Sequence, residues 1–416
     1  MIKTLYIDHH AHVYGTGYKS LHPKLDHTQS IDEVLAAIRP ILATLQPGEW
    51  LVARGWDQNK WQEKHFPTCE SLDAVSTNIP IVLIRIDGHA LWCNSKALEL
   101  ANITLDTPIP SGGDILRSAS GELTGIILDD AMQIIYDAMP QENSLSIKRT
   151  LLAGLQEFAK HHIGVHDMGI PAEHWEPYKE LYIEQGDDLL RSYVFLDMSK
   201  ASGRTLFLEK LKDYAFDDSP HNNLKLVGIK LYLDGALGSR GAHLFEPYTD
   251  DPTNYGLKLT EDSDAIELMS LAAERGLQIA IHAIGDAANS RALDLIHEVK
   301  QRKRTSEKTI FRIEHAQIVR EEDIIRYREL NVWAIIQPQF YPSDHQWAIS
   351  RLGTERMKNS YRWKSLLDAG ISVLASSDSP VEDANPHIGI EVLQTRYDEG
   401  VSQEVAQKMY SESALD

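Results

Sequence analysis

Cysteine is nearly missing from this chain: Cys69 and Cys93 are the two in 416 residues. A disulfide framework is therefore not expected to hold the fold. Basic residues are short as well, 41 against 61 acidic ones for a net charge of −20, so the footprint that nucleic acid demands is absent. No window reaches eighteen uninterrupted apolar residues, and no basic segment followed by an apolar stretch opens the chain. A membrane span and a secretory leader are not expected on that pattern, and the expected location is cytoplasmic. What is present is ordinary: 43% hydrophobic and 25% charged residues, the proportions of a folded protein with a large core.

Along the chain, short apolar runs alternate with amphipathic helical stretches, the pattern of a parallel α/β fold. Eight runs read as strands: Thr4–Asp8, Gly164–Asp167, Leu190–Leu196, Leu224–Leu233, Leu277–His282, Thr309–Glu314, Val332–Gln337 and Ile371–Ser377. Helical patterns sit between several of them, among them Ser263–Arg275, Ala287–Lys300 and Glu321–Leu330, and Ser146–His161 leads into the second strand. Eight such strands are what a closed (β/α)₈ TIM barrel needs. One connection is out of step, because about 150 residues separate the first two strands, far more than a βα loop requires. That stretch has strand-like runs of its own, Trp50–Arg54 and Ile81–Ile86, and a turn signal at Pro110-Ser111-Gly112-Gly113. The expected organisation is a barrel from residues 1–29 and 146–416, with residues 30–145 inserted as a subdomain over the barrel mouth.

Six side chains make the case, and nearly all fall at or just past the C-terminal ends of these strands. His10 and His12 follow the first; residues two apart in an extended chain point to the same side, so both imidazoles can face one ion. Chance His-x-His pairs are common in a chain with 18 histidines, and this pair gains meaning only beside the polar residues at the ends of the later strands. Lys230 sits inside Leu224–Leu233, a run that otherwise reads as a buried strand. A buried lysine needs a partner or a lowered pKa, which leaves three explanations: a barrel-lining salt bridge, a Schiff-base lysine, or a lysine carboxylated by CO₂ that bridges two metals. His282 ends the fifth strand, His315 the sixth and Asp378 the eighth. Singly, each histidine reads as a core residue and the aspartate as a helix cap. Together, His-x-His, Lys, His, His and Asp on strands one, four, five, six and eight read as a metal site.

The words around these residues narrow the reading. Arg54-Gly-Trp-Asp-Gln58, Asp87-Gly-His-Ala-Leu-Trp92, Gly228-Ile-Lys-Leu-Tyr-Leu-Asp-Gly-Ala-Leu-Gly-Ser-Arg240, His282-Ala-Ile-Gly-Asp286 and Arg312-Ile-Glu-His-Ala-Gln317 run through nearly the whole chain. They resemble the YtcJ-like branch of the amidohydrolase superfamily (amidohydrolase family 3), which includes N-substituted formamide deformylase and proteins once labelled exoenzyme regulators. The resemblance implies that His10 and His12 bind the more buried metal and that a carboxylated Lys230 bridges two metals. It implies that His282 and His315 hold the second metal, and that Asp378 contacts the first and shuttles the proton. It also implies cleavage of a carbon–nitrogen bond other than a peptide bond by metal-activated water. The nitrogen and carboxylate ligands suit Zn²⁺, with Mn²⁺, Fe²⁺ or Co²⁺ as substitutes and one metal rather than two if Lys230 is not carboxylated. Relatives of this kind carry a small β-sandwich from segments flanking the barrel. This chain starts at the first strand and stops at Ser413-Ala-Leu-Asp416, so that sandwich is expected to be largely absent.

Substrate contacts are read more loosely. Tyr232 and Asp234 share the parity of Lys230; Arg240 follows in a glycine-bearing loop; His89 and Trp92 in the insertion could close over a substrate. Each also has an ordinary packing or surface reading. His166-Asp167, ending the second strand, suits a supporting role behind the ligands. A small molecule is the expected partner, with a homo-oligomer left open. An adenosine-deaminase-like enzyme would bring a His-Ala-Gly-Glu word and no lysine on strand four, and neither holds. The competing readings are a non-catalytic metal-binding sensor on the same scaffold and a metal-dependent isomerase or lyase.

Overall fold

The structure is a computed structural model that describes residues 6–411 apart from 46–47, 63, 87–89, 111–112, 141, 213–215 and 303. Among the described residues, eight parallel strands form one sheet in sequence order. They are β1 (Tyr6–Ala11), β2 (His162–Ile170), β3 (Arg191–Asp197), β4 (Leu224–Tyr232), β5 (Gln278–Ala283), β6 (Ile310–His315), β7 (Val332–Ile336) and β8 (Val373–Ala375). Their runs are apolar on both faces because helices cover one side and the strands' own side chains fill the other. Trp175–Gln185, Ala201–Lys212, Asp262–Glu274, Asp286–Gln301 and Glu321–Glu329 are the connecting helices between β2 and β7, and Ser144–Ala159 leads into β2. The sheet is nearly closed into a TIM-type barrel, as the alternation predicts.

The seam between β1 and β8 is held at two levels. Near the C-terminal end of β1 and past that of β8, Asp378 N–H donates to His10 O at 2.8 Å and His12 N–H donates to Ser379 O at 2.8 Å. One level down, Ile7, near the start of β1, donates its N–H to Tyr410 O at 2.7 Å, and Ala375, the last residue of β8, donates to Met409 O at 2.9 Å. The returning chain thus fills the gap, and Tyr410 is buried there.

The chain divides into two compact units, residues 1–17 with 144–416 and residues 18–143. The second holds a five-stranded sheet in the order Leu51–Trp56, Ile81–Arg85, Ala90–Cys93, Leu123–Asp129, Gly113–Arg117, its first pair parallel and the rest antiparallel. Alternation splits its apolar residues between two faces. Trp92 joins Trp56 and Trp61 on one, while Leu91 and Cys93 join Ile115 and Ile127 on the other. Cys69 and Cys93 are both free. Among the described residues, no helix is long and apolar enough to cross a membrane.

Candidate metal centre

Parallel register staggers the candidate ligands of β4, β5 and β6 by one to three residues near the strands' C-terminal ends. Lys230 pairs with Asp197 on one side and Ala280 on the other, Tyr232 with His282, and Ala283 with His315. Behind β1, the helix opening at Val13 packs tightly on Ser144–Ala159. A Cβ at Gly154 would meet Val13 O at 2.0 Å, and one at Gly17 would meet Thr150 O at 1.9 Å. Val13 N–H also donates to Asp167 Oδ1 at 3.0 Å, and Tyr178 Oη–H donates to Asp167 Oδ2 at 2.8 Å. Asp167 therefore anchors the backbone immediately after His12. His315 and Asp378 carry φ of 73° and 56°, a left-handed backbone that side chains other than glycine's rarely adopt and that recurs at functional sites.

His10, His12, Lys230, His282, His315 and Asp378 all line one cavity of about 400 Å³. One ligand atom from each of His10, His315 and Asp378 can be chosen so that all lie within 4.8 Å of one another. Asp378 Oδ1 sits 3.1 Å from His12 Nε2 and 3.3 Å from His10 Nε2, yet it makes no hydrogen bond of acceptable geometry, and neither does the buried His282 Nε2. Buried polar atoms without partners are rare; Asp378 Oδ1 lies against the two histidines of the first strand, while His282 Nε2 lies 3.4 Å from Asp234 Oδ1. Nitrogen and carboxylate donors converging this way fit a divalent cation.

Partners behind the ligands orient them. His10 Nδ1 meets Glu314 Oε2 at 2.5 Å, and His315 Nδ1 meets Gln337 Oε1 at 2.8 Å. Each ring is fixed through Nδ1, which leaves Nε2 for an ion. Glu314 is in turn held by Arg312, whose Nε donates to Oε1 at 2.5 Å. Arg312 also lies 2.7 Å from His166 Nδ1 and donates to His9 O at 2.5 Å. Burial alone would raise the Glu314 carboxyl, but Arg312 and the His10 contact outweigh it and hold it well below the usual range. Burial would likewise raise Asp378, and His10 with His12 hold it well below its usual value. Burial pushes His315 down to about 3 and His282 well down, so both rings stay neutral, the form that binds metal. Lys230 is 1% exposed, and burial lowers it to about 8. Among the described residues no carboxylate oxygen pairs with its Nζ, which lies 5.2 Å from the Tyr232 ring.

The other expected contacts are placed differently. Tyr232 lines the cavity. Asp234 does not; its carboxylate accepts from the backbone of His243, Ile284 and Gly285 at 2.9, 3.1 and 2.8 Å and so shapes the loop after β5. Arg240 grips Asp250 through Nε and Nη2, both at 3.1 Å, and holds its own loop. Trp92 is fully buried beside Trp56 and Trp61, its indole N–H donating to Thr68 O at 2.9 Å, which makes it core. His89 lies outside the described residues. Arg312 and Glu314 went unread in the sequence, although the signal that singles out Lys230, a charge inside an apolar strand, marks them too. Phe340, Asp344, Trp347 and Glu382 also line the cavity and carry no such signal.

Comparison with known proteins agrees with this geometry. The sequence profile of the amidohydrolase family matches residues 6–412. The chain is 32% identical over 395 residues to a putative amidohydrolase, YtcJ, of Bacillus subtilis, covering 93% of this chain and 72% of that protein. It is 26% identical over 370 residues to N-substituted formamide deformylase of Arthrobacter pascens, covering 86% of this chain and 66% of that one. The crystal structure of an uncharacterized metal-dependent hydrolase from Pyrococcus furiosus superposes with a TM-score of 0.82 at 28% identity, over 99% of this chain and 81% of that chain. The chain therefore belongs to the amidohydrolase family and is a hydrolase.

Proposed function

We propose that this chain cleaves a carbon–nitrogen bond in a small amide or amide-like, non-peptide substrate, using one or two divalent metals with Zn²⁺ the first choice. The observation that carries the reading is the convergence of His10, His315 and Asp378 on a cavity that His12, Lys230 and His282 also line. Bound there, a divalent cation polarises the scissile carbonyl and lowers the pKa of its water to about 7.

His10 and His12 would hold one ion, His282 and His315 a second, and Lys230, carboxylated by CO₂, would bridge them. A lysine with no carboxylate partner among the described residues and a pKa near 8 keeps a neutral fraction at physiological pH, the form that adds CO₂. Asp378, ionised and beside both histidines of the first-strand pair, takes a proton from the attacking water and delivers it to the leaving nitrogen. The similarity to a deformylase favours a non-peptide amide. The scarcity of cysteine and of basic residues favours a small-molecule enzyme of the cytoplasm.

Elemental analysis of protein purified after growth with zinc should find one to two equivalents of metal, and chelation followed by metal return should abolish and restore hydrolysis across a panel of N-formyl and N-acyl amines. Asp378→Asn should keep most of the metal while turnover falls by roughly 10²–10⁴-fold. Metal-free protein, or a fully active Asp378→Asn variant, would sink the reading.

A further inference from the structure

Two further carboxylates, Asp344 and Glu382, line the cavity that holds the candidate ligands. Asp344, on the helix Phe340–Met357, accepts at Oδ2 from Tyr361 Oη at 2.7 Å and Gln317 Nε2 at 3.1 Å. Both bonds end on the same oxygen, so Oδ1 has no partner among the described residues. Glu382 accepts at Oε1 from Ser343 Oγ at 2.7 Å, and its Oε2 has none among them either. Both carboxylates line the cavity, and among the described residues neither pairs with a lysine, arginine or histidine. Among the described lining residues, Lys230 is the one lysine or arginine.

Apolar side chains line the same cavity, among them Phe340, Trp347 and Leu237, and the Phe340 ring lies parallel to His315 with centroids 6.2 Å apart. Asp378 lines the same cavity, its Oδ1 3.3 Å from His10 Nε2 and 3.1 Å from His12 Nε2, so the two carboxylates share their space with the candidate metal centre. Gln317, two residues beyond His315, ties Asp344 to the β6 end, so the carboxylate is fixed relative to that histidine.

We propose that the cavity takes an amide whose other end is an organic cation on an apolar stem, with Asp344 and Glu382 binding the cation and the aromatic wall covering the stem. This rests on the hydrolase reading above and adds the substrate class to it. Two carboxylates without a lysine, arginine or histidine partner among the described residues, in a cavity also lined by aromatic rings, favour an ammonium by charge and by attraction to the rings. They disfavour a carboxylate-ended substrate, which would meet like charge. Burial, with the Glu382 charge adding to it, pushes Asp344 up to about 6, the direction expected of a carboxylate whose counter-charge comes from outside the protein.

The test separates binding from chemistry. Metal-free protein is titrated calorimetrically near neutral pH with hexylammonium, hexan-1-ol and hexanoate, and so are the Glu382→Gln, Asp344→Asn and doubly substituted proteins. The metal-loaded enzyme is assayed on N-formyl amides of equal length ending in an ammonium, a methyl or a carboxylate. Hexylammonium should bind at least ~10-fold more tightly than the other two, Glu382→Gln should reduce that preference and the double variant should lose it. kcat/KM should rank the amides ammonium, methyl, carboxylate, with Glu382→Gln flattening the order. Equal binding of the three probes, or a preference that survives in the folded double variant, overturns the proposal. If the ammonium preference holds while no amide is hydrolysed, the hydrolase reading fails and the cation site stands. If amides are hydrolysed at equal kcat/KM whatever their end, the cation site fails alone.

Discussion

Lys230 decides most between mechanisms. A carboxylated lysine is anionic and draws two cations together, whereas an unmodified ammonium repels them. Lys230→Ala should strip metal and activity, and added short carboxylic acids should restore part of both. Lys230→Arg should restore neither, since guanidinium stays cationic and is not carboxylated; a metal-replete, active arginine variant would remove the bridge. Glu314 makes a second case. It stands between Arg312, which is fully buried, and His10 Nδ1. Glu314→Gln leaves the shape but takes away the charge opposite Arg312, and breaking one partner of a buried pair costs about 3–5 kcal/mol. Metal affinity should fall roughly 10–100-fold, the usual effect of losing a ligand's supporting carboxylate. Competition with a chromophoric chelator reads the affinity and urea unfolding reads the stability; unchanged affinity would deny Glu314 a role in orienting His10.

Strands are where sequence and structure agree most closely, and their ends are where they part. The eight apolar runs all become barrel strands because a strand buried on both faces cannot hide its composition. β2 runs on to Ile170, past the expected stop at Asp167, because its pairing with β3 resumes after an irregularity there. β8 shrinks to Val373–Ala375, leaving Asp378 in a turn. His10 lies inside β1 rather than beyond it. These are matters of neighbouring-strand register, which local composition does not carry. The ligand positions were legible because imidazole, amine and carboxylate stand out in apolar strands. The cavity's two further carboxylates were not, because Asp344 and Glu382 lie on a helix and a loop where carboxylates are commonplace. The seam offers a test of the closure itself. The Tyr410 side chain is buried in the segment whose main chain bonds Ile7 and Ala375, so Tyr410→Ala, which removes that packing and keeps the backbone bonds, should cost on the order of 3–5 kcal/mol. A urea midpoint within error of wild type would mean that this packing does not hold the barrel shut.

For the molecule as a whole, acid sensitivity has a traceable source away from the metal centre. Burial lowers His162, at the start of β2, to about 4, against a smaller opposing effect of its contact with the Ala384 carbonyl at 2.7 Å. The unfolded chain takes up this proton below about 6.5 and the folded chain does not until about 4, so the stabilisation is complete above 6.5 and drains away as pH falls through that window. Wild type should therefore lose up to about 3 kcal/mol more than His162→Gln between neutral pH and pH near 4; parallel stability curves would contradict this. The seam has a further meaning when the chain is considered in the order it is made. The first two candidate ligands, His10 and His12, leave the ribosome early, while Asp378, whose amide grips the His10 carbonyl, emerges 366 residues after His12. At about 5–20 residues per second, that is a wait on the order of 20–70 s. Residues 18–143, one contiguous stretch with its own core, can fold during that interval, whereas β1 has no partner until β2 is made and no second neighbour until the tail returns. The centre is thus the last part of the molecule to come into existence, and it is assembled from the oldest and nearly the youngest pieces of the nascent chain.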